Sequence, residues 1–250
     1  MQTGFGCGFG QGLSLIHIYI SIVVPVATNV RQVAKINDAA VDLNRNYENS
    51  GVLSFGGIHP EYSDYKEELK RIKELGIPGI KLHPNYQDCY IDDIRYMNII
   101  DFASSLGLII VVHAGIDIGL PEPVYSSPDR IAKVIAQVKP DKFVLAHMGG
   151  WRQWEEVADC IAGKDVYLDT SFCLGPVDKQ NGNSSEALME ESEFVKLVKL
   201  HGEDRILFGT DSPWSDQKVS VSQLARYPLS VEQKQKIYYK NAAKLIGISM

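Results

Sequence analysis

The chain has 250 residues, 45% of them apolar and 22% charged, and a net charge of −6. That length suits one large domain with a sizeable core. There is no basic stripe for nucleic acid, no apolar run of the ~18 residues that spans a bilayer, and no secretory leader pattern.

Cys7, Cys89, Cys160 and Cys173 are scattered without a CxxC pair. Neither a disulfide framework nor a structural zinc cluster is expected, and a cytoplasmic location fits. The partner expected is a small-molecule substrate, with no nucleic acid and no membrane; a homo-oligomer is left open.

The start of the chain stands apart. Met1 to Gly12 holds five glycines and no period. "LSLIHI", Leu13 to Ile18, is the translation of CTG TCT CTT ATA CAC ATC, the end of a transposon adapter used in preparing sequencing libraries. Residues 1–19 therefore read as a non-native leader, and 20–250 as the domain. The alternative is a genuine divergent start.

From Ile20 the chain alternates. Short apolar runs predict strands at "ISIVVPV" from Ile20, "VLSFGGIHP" from Val52, "GIKLHP" from Gly79 and "LIIVVHAG" from Leu108. "FVLAHMGG" from Phe143, "VYLDTSF" from Val166 and "ILFGTDSPW" from Ile206 follow. Helical periods lie between them. "YKEELKRIKELG" puts Leu69, Ile72 and Leu75 on one face, and "DRIAKVIAQV" does so with Ile131, Val134, Ile135 and Val138. Gly76 and Gly107 sit where helices should end. Runs apolar at consecutive positions predict a parallel sheet buried on both faces, either doubly wound or a closed (β/α)8 barrel. No GxGxxG follows the first strand, which weakens the doubly wound dinucleotide fold. Seven strands are counted, one short of a barrel, and the pattern is missing at the N-terminus. The fold expected is an α/β TIM barrel lacking strand one and helix one.

His59, His83, His113, His147, Asp169 and Asp211 each close an apolar run. In a barrel such positions ring one mouth. Imidazoles with carboxylates suit zinc and similar divalent ions, which make water acidic enough to attack at neutral pH, with a carboxylate moving the proton. Lys81 and His83 are two apart, so they share one strand face, expected to be the barrel interior.

"IIVVHAG", "FVLAHMGG" and "ILFGTDSPW", with "GIKLHP" before them and "KNAAKLIG" at the end, resemble the amidohydrolase superfamily. The similarity runs from about Ile20 to Gly247 and is nearest the branch that includes decarboxylases of the aminocarboxymuconate-semialdehyde type. It implies that His113 ligates the metal, that His147 lies over the metal's water or a second metal, and that Asp211 binds metal and handles the proton. The family's first strand carries H-x-H; here the nearest match is His17, with Tyr19 in the second position. In binuclear relatives a strand-four lysine bridges two metals. For Lys81 the alternatives are a buried ion pair or a substrate contact.

Lys81, His83, His59, Asp169 and Trp151 are the substrate-binding candidates. His59 could instead be structural, Asp169 a strand-end cap, and Trp151 and Trp154 the burial of a helix start. The Tyr86–Gln87 and "GLPEPVYSSP" loops face the mouth without assigned chemistry. The activity expected is metal-dependent hydrolysis of a C–N or C–O bond, with zinc as the ion. Decarboxylation in the same superfamily and an inactive truncated fragment are the alternatives.

Overall fold

The computed structural model describes residues 20–174 and 189–248. The leader expected over 1–19 lies outside them. The strands are β1 (Ser21–Val23), β2 (Val52–Ser54), β3 (Gly56–Gly57), β4 (Gly79–Leu82), β5 (Ile109–Val112), β6 (Phe143–Leu145), β7 (Tyr167–Asp169) and β8 (Ile206–Leu207). The helices are α1 (Val33–Arg45), α2 (Tyr47–Ser50), α3 (Tyr65–Glu74), α4 (Ile94–Ser105), α5 (Pro128–Val138), α6 (Trp154–Cys160), α7 (Glu191–His201), α8 (Gln217–Arg226), α9 (Val231–Gln235) and α10 (Asn241–Ile246). All pairings are parallel, in the orders β1-β2 and β3-β4-β5-β6-β7-β8. This is the α/β barrel read from the sequence, with the seven apolar runs in their expected places and no eighth among the described residues.

The run Val52–Gly57 reads as one strand but is broken at Phe55. Asn44 of α1 accepts the Ser54 N–H at 2.6 Å and donates to the Ser54 carbonyl at 2.9 Å. Asn37, from the same helix, accepts the Gly57 N–H at 2.8 Å and donates to the buried Glu68 of α3. Helix side chains thus take backbone groups that a neighbouring strand would otherwise pair. Phe55 bridges the halves through its N–H to the Val23 carbonyl, 2.8 Å.

Alternate strand positions face two cores, as the period of two requires. Ile80, Leu82, Ile110, Val112, Leu145, Leu168 and Ile206 pack under the helices. Phe55, Ile109, Val111, Val144 and Leu207 form the barrel interior, joined by Leu245 of α10. Register pairs Lys81 with Val111 and Val111 with Val144, so Lys81 is an interior residue. At Gly79 a Cβ would stand 2.4 Å from the Ile109 carbonyl oxygen; only glycine lets the two strands approach here.

Gly76 and Gly107 follow α3 and α4 in the left-handed conformation, φ +82° and +68°, as expected of helix stops. Leu69 and Ile72 are buried, but Leu75 is exposed. It is the C-cap residue, one past the end of α3.

β1 and β8 are not paired with each other among the described residues. A cavity of about 1570 Å³ takes in both that opening, lined by Ser21–Val24, Leu207, Leu245 and Ile246, and the strand-end mouth.

Candidate active site

The mouth residues are delivered by the ends of β4 to β8. Lys81, His83, His113, His147, Asp169, Asp211 and Trp151 all line the one cavity. His59 does not line it. It is buried, and its Nδ1 accepts the Glu61 N–H at 3.2 Å.

His83 and His113 come from neighbouring strands, and their rings stack with centroids 4.2 Å apart; Tyr86 stacks on the other face of His83 at 3.9 Å. Burial, with Lys81 and His147 nearby, pushes the His83 pKa down to about 2. The same causes hold His113 well below the usual imidazole range, burial being the largest. Both are neutral at pH 7, the state a metal ligand needs. Burial lowers the Lys81 pKa, against the opposing pull of Asp169 and Asp211.

A third member of this cluster was not singled out in the sequence. Asp117 lies four residues after His113, in "HAGID". Its Oδ1 accepts the Gly119 and Leu120 N–H groups at 2.9 and 2.8 Å. Its Oδ2 stands 3.7 Å from His83 Nε2 and 3.9 Å from His113 Nε2. His83, His113 and Asp117 offer ligand atoms all within 4.8 Å of one another, and Asp211 is not in that group. One atom tests whether this set suits a divalent cation: His113 Nε2 is buried and has no hydrogen-bond partner among the described residues. A buried polar atom without a partner is costly unless something else satisfies it. Two imidazoles and a carboxylate form a donor set typical of zinc and related ions.

His147 sits in a tight turn whose residues His147, Met148 and Gly149 all have positive φ. Such backbone persists only where the surroundings hold it. Asp169 Oδ1 accepts the His147 N–H at 3.1 Å, and Trp154 Nε1 donates to the His147 carbonyl at 3.0 Å. The side chain lies between His113 Nδ1, 3.0 Å from its Nε2, and the Ser171 carbonyl, 2.9 Å from its Nδ1. Behind it, Gly115 meets the Trp151 backbone so closely that a Cβ would stand 2.2 Å from the Trp151 nitrogen.

Trp151 is buried in the cavity wall, and its Nε1 has no partner among the described residues. Asp211 is exposed, with φ 56°. Gln87, in the loop given no chemistry, braces the mouth. Its Nε2 donates to the Ala27 and Ile58 carbonyls at 2.8 and 2.7 Å, and its Oε1 accepts from the His83 N–H at 3.0 Å and from the Tyr96 hydroxyl. Three strand ends are tied by one buried amide.

The family model described as amidohydrolase matches residues 37–248. The chain belongs to the amidohydrolase family. Membership makes it a metal-dependent enzyme of that superfamily, in keeping with the donors gathered at the mouth. No curated protein matches the sequence. Among solved structures, it is similar to a 5-carboxyvanillate decarboxylase of Novosphingobium aromaticivorans complexed with manganese and 4-hydroxy-3-methoxy-5-nitrobenzoic acid (15% identity, 88% of this chain and 70% of that one, TM-score 0.65). It is also similar to the 2,6-dihydroxybenzoate decarboxylase of Rhizobium (16%, 87% and 77%, TM-score 0.60). A third is a probable 2-pyrone-4,6-dicarboxylic acid hydrolase of Acinetobacter baumannii with citric acid bound (14%, 85% and 79%, TM-score 0.60). At these identities the likeness carries the fold alone.

Proposed function

We propose that this amidohydrolase is a metal-dependent hydrolase that cleaves a C–N or C–O bond of a small, partly apolar substrate. The observation behind this is the meeting of neutral imidazoles, carboxylates and one amine in a single cavity at the strand ends. The cation is held at His113, whose Nε2 is buried and unpartnered, with facing carboxylate. Zinc is the ion that an imidazole-rich set favours. When bound, the ion supplies a Lewis acid that polarises the scissile group and activates water.

The chain's own residues do the rest. Asp211, exposed in the cavity lining just beyond β8, carries the proton to the leaving group. Lys81 and the Trp151 Nε1–H offer donors to substrate oxygens, and a buried donor set in advance stabilises charge with little reorganisation. Phe172, Ile116 and Trp151 line the wall and exclude water. No helix of the described residues is long and apolar enough to cross a membrane; with Cys89, Cys160 and Cys173 as free thiols, we place the enzyme in the cytoplasm.

Decarboxylation is the second reading. It is supported by the aromatic side chains of Trp151, Phe172 and Tyr86 in the cavity lining and by the reactions named for two of the structural relatives. The same residues would then bind a planar acid, its carboxylate near Lys81 and its ring against Trp151. A panel of lactones, amides and aromatic acids, with and without added zinc or manganese, separates the two. Base uptake on lactones, or amine release from amides, that depends on the metal supports hydrolysis. Release of CO2 from the acids alone supports decarboxylation.

A further inference from the structure

We infer that the substrate is amphipathic: its polar, scissile end reaches the floor of the cavity, and an apolar tail is gripped at the rim by Trp214, Ile118 and Tyr86. The inference rests on the hydrolase reading above for the polar end alone, and names the substrate class and the residues that select it.

The grading of exposure along the cavity carries it. Three near-parallel rings run outwards from His113 through His83 to Tyr86, with centroids 4.2 and 3.9 Å apart. His113 and His83 are 5% and 7% exposed, whereas Tyr86 is 41% exposed. The stack therefore runs from floor to rim. Polar groups gather at the floor, where Lys81 and Asp117 are buried beside the two imidazoles. At the rim large apolar side chains join Asp211. Ile118 and Trp214 line the same cavity and are 38% and 55% exposed. A cavity polar within and apolar at its mouth suits a ligand built in the same order.

The rim side chains are held in place by built turns. Asp117 Oδ1 accepts the Gly119 and Leu120 N–H groups, and the buried Asn85 donates to the Leu120 carbonyl at 3.0 Å, which fixes the loop that carries Ile118. The Trp214 N–H donates to the Asp211 carbonyl at 2.9 Å, so one turn presents the carboxylate and the indole together. Tyr86 is seated on His83. The loops after β4, β5 and β8 thus each bring one large apolar side chain to one opening. Leu43, Leu75, Ile94 and Leu200 are exposed too, but lie outside the cavity; apolar residues scattered singly need no explanation, whereas a group around a ligand-sized mouth marks a binding surface. A tail laid across the group takes apolar surface out of water on both partners. Full burial is worth about fourfold in affinity per methylene, and a rim open on one side about half of that, roughly twofold.

The test is binding of unbranched primary amides, from butanamide to octanamide, to the full chain with and without zinc, by calorimetry and by tryptophan emission. Trp151 and Trp154 are buried, so Trp214 is the exposed reporter. Octanamide is expected to bind about tenfold tighter than butanamide and to shift the emission to the blue; Trp214→Phe should lose that shift. Trp214→Ala and Ile118→Ser should each cut the octanamide-to-butanamide ratio to about threefold or less, with melting curves as the folding check. Ile94→Ala, outside the cavity, should keep the parent ratio. Absent binding, equal affinities along the series, or a ratio untouched by both rim variants would overturn the inference. So would a blue shift that grows with protein concentration without amide, which would give the rim to a second copy of the chain. Chain-length-graded binding with no metal-dependent hydrolysis of any amide or lactone sinks the hydrolase reading and leaves the rim. Hydrolysis indifferent to tail length sinks this inference alone.

Discussion

Asp169 holds the backbone of His147, its Oδ1 accepting the His147 N–H at 3.1 Å and the Ser171 N–H at 2.9 Å. One carboxylate oxygen thus fixes the start of a left-handed turn and the residue whose carbonyl faces the His147 Nδ1. Asp169→Ala is expected to cost about 2–4 kcal/mol of stability, the loss of charge-assisted bonds in a strained turn. Urea denaturation measures it. An effect on turnover with unchanged stability would show that Asp169 acts on substrate instead of on the turn.

Gly115 has no substitute. Its φ is +87°, and a Cβ would stand 2.2 Å from the Trp151 nitrogen. Gly115→Ala should force apart "HAG" and "HMGG", which carry His113 and His147. We expect a loss of at least about 2 kcal/mol and a large fall in activity, read by thermal melting and by the substrate panel.

Gln87 is expected to matter for stability although it touches no reacting group. Gln87→Leu leaves the Ala27 and Ile58 carbonyls, the His83 N–H and the Tyr96 hydroxyl without their partner. A cost of about 3 kcal/mol follows from several buried groups left unpaired. A melting temperature within a degree of the parent would contradict this.

His201 makes stability depend on pH away from the site. It is buried, accepts the Gly163 N–H and donates Nε2–H to the Val166 carbonyl. Burial pushes its pKa down to about 4 from 6.5. The unfolded chain therefore binds the proton more readily. The stabilisation is complete above about pH 6.5 and is lost as pH falls towards 4, on the order of 3 kcal/mol. Unfolding free energies of the parent and His201→Gln between pH 7 and 4.5 should differ in slope, the variant being flatter. Parallel curves would count against it.

Much of the barrel was legible because its signals are local. Consecutive apolar positions at Ile109–Val112 give a strand buried on both faces, and the period of two puts Lys81 inside. The break at Phe55 was not legible, because it is made by Asn37 and Asn44 reaching from a helix earlier in the chain. Leu75 misled because it lies one residue past α3, where the helix meets solvent. At the site, the strand-end rule finds His83, His113 and His147, since each follows an apolar run. It passes over Asp117, which lies in irregular chain beyond the strand. A carboxylate four residues after a strand-end histidine, with a glycine two residues further on, was the available signal. The same rule selects His59, whose ring turns to the Glu61 N–H and stays out of the cavity. A position at a strand end does not fix where a side chain points.

The proposed function requires a divalent cation at His113. The most direct measurement is anomalous scattering from crystals grown or soaked with zinc or manganese. The expected result is one strong peak about 2.0–2.2 Å from His113 Nε2, with Asp117 and His83 beside it. No peak in the cavity, or a peak whose ligands exclude His113, would contradict the account.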